Sequence, residues 1–305
     1  MNFKILIDDF FESFNTAPEL NPIDKKKVIS IINDFEDGKW RYNEFQNFVW
    51  DNIAETALSF RERQSLINQP LSQLTEAAKK LRLTDKEKDI SKGSELAEIV
   101  LYGLMKSHFK ALPVVPKIYY KQNPKDNAKG ADSVHIVVEK DDFTLWFGEA
   151  KFYSSIDDTR LNSIITSVEN SLRTDKIKKE NSIVTDLHDI DYLVEEDVLN
   201  KKIKRALSPK ESLDSLKPKL HIPILLLHEC ELTKSEKELN QEYKENIIRE
   251  HKERAQSYFE KQVKKISDKV YKYSEITFHI ILFPVPIKKN IIDEFVNIAT
   301  FHQNR

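Results

Sequence analysis

Asp132, Glu149 and Lys151 are the residues whose types and spacing are best suited to chemistry. They bracket the run Gly130-Ala131-Asp132-Ser133-Val134-His135-Ile136-Val137-Val138-Glu139 and its continuation Phe143-Thr144-Leu145-Trp146-Phe147-Gly148-Glu149-Ala150-Lys151. Two apolar, β-branched and aromatic segments flank the polar break Lys140-Asp141-Asp142, which is the pattern of a hairpin. With Glu139 opposite Asp142 at the turn, antiparallel pairing sets Asp132 opposite Glu149. Side chains alternate along a strand, so Glu149 and Lys151 emerge on one face, roughly 7 Å apart. Two carboxylates facing each other across a ladder repel unless a cation lies between them. The arrangement therefore calls for a divalent metal ion with a lysine beside it.

Such a set suits phosphodiester hydrolysis. Asp132 and Glu149, with the Ala150 carbonyl, offer the hard oxygen ligands that Mg²⁺ or Mn²⁺ prefers. A bound metal lowers the pKa of its water and offsets charge developing on the phosphate. Lys151 then either holds and helps deprotonate that water or stabilises the pentavalent transition state. A helix beginning near Ser94 adds a third carboxylate from Glu95 or from Glu98, since both positions share one helix face. Other acid-x-lysine triplets, Asp24–Lys26 and Glu242–Lys244, fall in polar stretches. Glu149 differs because it ends an apolar strand, where burying a charged pair is unfavourable without a purpose. Gly148, inside that strand, predicts a bulge or the close approach of another group, whereas Gly103 reads as a helix-packing glycine.

The elements that position these residues follow from periodicity. Residues 1–88 read as a helical N-terminal region, with helices over Asn43–Ile67 and Leu71–Leu83. The charged run Thr84–Asp89 reads as a linker or an exposed corner. Ser91–Lys110 forms the next helix, with Ser94 as its N-cap and Glu95 in its first turn. Lys117–Tyr120 reads as a short strand, Lys121–Lys129 as a polar loop, and 157–178 as an amphipathic helix. Residues 181–220 read as an irregular polar and basic insertion. Strands at Ile222–Leu227 and Ile276–Phe283, a charged helix at Ser235–Lys269 and a terminal helix at Ile291–Thr300 complete the chain. The order predicts an α/β fold, a mixed sheet flanked by helices over residues 89–305.

Composition narrows the classes further. A net charge of −2 excludes a protein coated in positive charge, so any contact with nucleic acid relies on local basic patches or on a partner. No apolar run approaches a membrane span. The start of the chain turns acidic too early for a secretory signal. The lone Cys230 excludes an internal disulfide and a multi-cysteine zinc site, and the simplest address is cytoplasmic. No Gly-rich phosphate loop or Gly-x-Ser-x-Gly elbow is present.

The pattern Glu95, Asp132, Glu149-x-Lys151 on a helix–strand–hairpin order resembles the PD-(D/E)xK nuclease superfamily, with its restriction-endonuclease-like fold. Ala131 stands where that superfamily has a proline. Gly93-x-Glu95-x-x-Glu98, Lys129-Gly130-Ala131-Asp132-x-x-His135 and Trp146-Phe147-Gly148-Glu149-Ala150-Lys151-Phe152-Tyr153 resemble one branch more closely, the HamA nucleases of the Hachiman anti-phage defence system. The resemblance implies a cytoplasmic, metal-dependent DNA nuclease that cuts with little sequence preference. It also implies a superfamily 2 helicase partner, HamB-like, which restrains the nuclease until invader DNA is sensed. The 1–88 region is then a candidate for docking that partner. Two other readings remain: a catalytically silent DNA- or partner-binding subunit on the same fold, and a restriction-type endonuclease or junction resolvase.

Other chemistry-bearing residues read as structural. His135 lies on the strand face opposite Asp132 and His279 within an apolar run, so both read as core. His228-Glu229-Cys230 reads as a strand end. Tyr119, Tyr120, Phe152 and Tyr153 read as core aromatics or as stackers for unpaired bases. Lys201–Lys219 reads as a solvated basic loop or as an element that tracks phosphates.

Overall fold

The computed structural model describes residues 3–83, 90–112, 114–120, 131–186, 189–194, 196–208 and 210–305. The expected linker at 84–89, the loop at 121–129 and Gly130 lie outside the described residues. Six strands form one sheet: β1 (Lys4–Phe10), β2 (Lys26–Ile32), β5 (Ser133–Glu139), β6 (Asp142–Tyr153), β7 (Leu220–Glu229) and β8 (Thr277–Val285). Its order is β1-β2-β8-β7-β6-β5, and a small ribbon, β3 (Phe35–Glu36) and β4 (Lys39–Trp40), stands apart. β2, β8, β7 and β6 run parallel, while β1 and β5 close the two edges antiparallel. The fold is thus the expected α/β mixed sheet flanked by helices. Its central strands, Ile-Pro-Ile-Leu-Leu-Leu in β7 and Phe-His-Ile-Ile-Leu-Phe in β8, are apolar on both faces because helices cover both.

One face packs on α1 (Tyr42–Ala57), α3 (Pro70–Lys79), α4 (Ile90–Ser107) and α12 (Lys288–Gln303). Its core includes Phe45, Ile53, Leu101, Ala150, Phe283 and Phe295. The other face packs on α6 (Asp158–Ser171), α7 (Thr174–Asp186), α9 (Asp197–Leu207) and α11 (Gln241–Ile266), around Phe147, Ile165, Ile203, Leu226 and Tyr258. Short helices α2 (Phe60–Ser65), α5 (Lys117–Tyr120), α8 (Asp189–Leu193) and α10 (Glu231–Ser235) lie between these elements along the chain.

The helical N-terminal region needs correction. Among the described residues the first α-helix begins at Tyr42, and residues 4–32 supply two strands of the central sheet with three short 3-10 turns between them. The run Lys-Lys-Val-Ile-Ser-Ile-Ile of β2 is buried on both faces between β1 and β8, so it lacks the alternation that marks a half-exposed strand. The 181–220 stretch is likewise not irregular. It holds the end of α7, then α8 and α9, and Leu199, Ile203 and Leu207 of α9 form a buried stripe at helical spacing. Lys117–Tyr120 is a helical turn rather than a strand, and its first residue, Lys117, forms a buried ion pair with Glu180 of α7.

Candidate active site at the open end of the β5–β6 hairpin

The hairpin pairs Glu139 with Asp142 and Ser133 with Gly148, so Asp132 stands just beyond β5 opposite Glu149. The Asp132 N–H continues the ladder by donating to the Gly148 carbonyl at 2.7 Å. Gly148 provides the close approach expected of it. A Cβ there would lie 2.2 Å from Ser133 Oγ and 2.7 Å from a Leu101 methyl of α4. A methyl group at this point would force the Ser133 hydroxyl and the Leu101 side chain to shift, one residue before Glu149. Gly148→Ala is therefore expected to lower stability by about 1–3 kcal/mol. Chemical denaturation of wild type and variant checks this, and an unchanged midpoint would show that the neighbours yield freely.

Asp132 Oδ2 accepts hydrogen bonds from the Ala150 N–H at 3.0 Å and from the Lys151 ammonium at 3.2 Å. The same ammonium lies 3.9 Å from Glu149. The cation required between the facing carboxylates is thus, in this structure, the side chain of Lys151. Burial works against its charge, but Asp132 and Glu149 together, with Glu98 from α4, outweigh it and raise the lysine pKa. Glu149 is 4% exposed and Glu98 3%. Glu149 also adds, after burial and Tyr273, to the effects that raise the pKa of the Tyr258 phenol on α11. Sequence periodicity gave no hint of that neighbour, because it comes from the opposite helical layer.

The two candidate helix acids have different surroundings. α4 begins at Ile90, four residues before the expected cap, so Ser94 lies inside the helix and its hydroxyl donates to Glu98 Oε1 at 3.2 Å. Glu95 turns both carboxylate oxygens to the Arg82 backbone N–H, each at 3.1 Å, and ties down the approach to the helix. Glu98, one turn on, is the α4 carboxylate whose charge reaches Lys151.

Among the described residues, no three histidine, cysteine or carboxylate side chains stand close enough to form a metal cage. An ion held here would use one or two protein carboxylates and keep several waters, as Mg²⁺ commonly does. Asp132, Glu149 and Glu98 against Lys151 leave a formal excess of two negative charges, which suits a dication. The chemistry of these donors, carboxylate oxygens, is the hard type that a divalent metal such as Mg²⁺ takes.

The remaining candidates separate from this cluster. His135 is buried against Tyr102, and burial lowers its pKa to about 3. His279 is buried beside His221, their ring nitrogens 2.9 Å apart. His228 pairs with His251 of α11 at 3.2 Å, and Cys230 is a buried residue ahead of α10. Phe152 belongs to the core, while Tyr153 is half-buried with the Arg160 guanidinium 5.6 Å from its ring centre. The side chains of Tyr119 and Tyr120 lie outside the described residues. In the basic stretch, Lys202 meets Asp142 at 3.1 Å, Arg205 meets Glu211 at 3.7 Å and Lys217 meets Asp214 at 3.6 Å. Lys201, Lys204 and Lys219 are also paired with carboxylates. That pairing weakens the stretch as a phosphate track.

Fold and cluster together define an α/β protein with a mixed sheet and an acid–acid–lysine centre at the open end of an edge hairpin. The chain belongs to the HamA family, whose model matches residues 8–299. It is thereby a component of the Hachiman anti-phage defence system. No curated protein matches the chain. Among the described residues, no helix is long and apolar enough to cross a membrane.

Proposed function

We propose that this chain is the metal-dependent DNA nuclease of its defence system, hydrolysing phosphodiester bonds with little sequence preference. The observation that carries the reading is the convergence of Asp132, Glu149 and Lys151 within hydrogen-bond or ion-pair reach, beside the buried Glu98. Asp132 and Glu149 would hold Mg²⁺ or Mn²⁺, with the Ala150 carbonyl beside them. The metal, when bound, supplies an activated water and offsets phosphate charge. The Ala150 N–H and the Lys151 ammonium fix the Asp132 carboxylate in place. Lys151, kept protonated by the surrounding acids, orients the attacking water and stabilises negative charge on the transferring phosphate. A HamB-like superfamily 2 helicase is the proposed restraining partner. The near-neutral overall charge supports that restraint, since it gives the chain little reason to bind DNA tightly alone.

The test is cleavage of plasmid and single-stranded DNA with Mg²⁺, Mn²⁺ or EDTA, alone and with the helicase plus ATP. Metal-dependent cutting supports the reading, and equally efficient cutting of RNA would count against DNA as the substrate. The two helix acids separate in the same experiment. Glu98→Ala is expected to weaken metal binding by about tenfold or more, while Glu95→Ala loosens the approach to α4 and leaves metal affinity near wild type. Titration calorimetry with Mn²⁺ distinguishes them, and the reverse order would assign the site to Glu95.

A further inference from the structure

Phe60 of α2 and Tyr192 of α8 are stacked, with ring centres 4.9 Å apart and planes 13° from parallel. The Arg63 guanidinium lies 5.8 Å from the Phe60 ring centre, and it is only 3.8 Å from Glu55. Phe60 is thus held from within the fold, while Tyr192 is 65% exposed. Most other aromatic pairs among the described residues are tilted or edge-on. The parallel pairs Trp146–His221 and His221–His279 lie against one another in a cluster around the buried Trp146.

Position sets this pair apart as well. α2 joins the helical layer on one face of the sheet and α8 the layer on the other. The contact therefore ties the two helical layers together, as the Lys117–Glu180 pair of α5 and α7 also does. β5 is the edge strand at whose start Asp132 stands. α2 is also linked towards α4, through Glu62 to Lys80 at 3.4 Å and the Arg82 N–H to Glu95 at 3.1 Å.

We propose that Tyr192, backed by Phe60 and Arg63, is a stacking platform for an unpaired base of single-stranded DNA on its way to the Asp132–Glu149–Lys151 centre. The proposal rests on the nuclease reading and deepens it by naming the form of the substrate. Every base has a π-face, so a single aromatic platform binds without regard to sequence. A ring already stacked on a neighbour loses little freedom when a base joins it. Bases inside a duplex are stacked on each other and closed to it, whereas an unpaired base presents a free face.

The experiment uses the full chain in EDTA, so that binding is read without cleavage. Tyr192→Trp places a fluorophore on the platform, and oligo(dT) is expected to quench it saturably while a blunt duplex does not. Tyr192→Ala is expected to bind the oligonucleotide about tenfold more weakly, with Tyr192→Phe close to wild type and duplex affinity unchanged. Circular dichroism confirms that the variants are folded. Wild-type affinity in Tyr192→Ala, or an unquenched tryptophan at saturating oligonucleotide, overturns the platform even if the protein cuts DNA. Quenching and weakened binding in a protein that cuts nothing with metal would uphold the platform and overturn the nuclease reading.

Discussion

Lys151→Ala is expected to lose metal-dependent DNA cleavage by at least about a hundredfold while keeping its fold. The ammonium is the group within hydrogen-bond reach of Asp132 and ion-pair reach of Glu149, and in the proposed reaction it is the donor that offsets charge on the phosphate. Removing one preorganised donor of this kind slows reactions by roughly 10²–10³. The side chain is about a quarter exposed, so truncation opens no large cavity. Metal binding should persist or tighten, because the alanine variant no longer sets an ammonium against the two carboxylates. Lys151→Arg keeps the charge but replaces a point donor by a planar fork, and should recover activity only in part. Plasmid nicking, with metal binding measured in parallel, checks all three statements. Cleavage by Lys151→Ala at the wild-type rate would remove the centre from the chemistry and favour the silent-subunit reading.

Glu180→Ala is expected to be the most destabilising of the single changes considered. Glu180 and Lys117 form an ion pair with both side chains almost fully buried, joining α7 to α5 beside β5. Breaking such a pair by removing one partner typically costs about 3–5 kcal/mol, because a charge is left in a desolvated place. For a chain of this size that corresponds to a drop in Tm on the order of 10 °C. The apolar double variant Lys117→Met with Glu180→Leu should recover most of the loss, since the desolvation penalty disappears along with the attraction. Thermal unfolding of the three proteins decides the matter. A single variant melting within a degree or so of wild type would mean that Lys117 finds another partner at little cost.

By itself the sequence determined the hairpin and what it bears. Its register was legible because a short polar turn between two alternating apolar runs leaves one pairing that buries both, and a slip of one residue would turn every side chain over. Asp132 and Glu149 were thereby brought together by local rules alone. The expectation of a cation between them was also legible, from repulsion. Only the tertiary structure decided which cation stands there in this structure, Lys151 folding back to Asp132 and Glu149. It also gave Glu95 and Glu98 different surroundings, which local periodicity cannot do because the two share a helix face. The Glu95 carboxylate accepts from the Arg82 backbone N–H, whereas the charge of Glu98 acts on Lys151. The same division explains the N-terminus. A strand such as β2 is apolar because its neighbours, one of them β8 some 250 positions away, bury both of its faces. The Lys117–Glu180 pair and the Phe60–Tyr192 stack are invisible to periodicity for the same reason. Each joins residues far apart in the chain, and only closure of the sheet and its two helical layers brings them within reach.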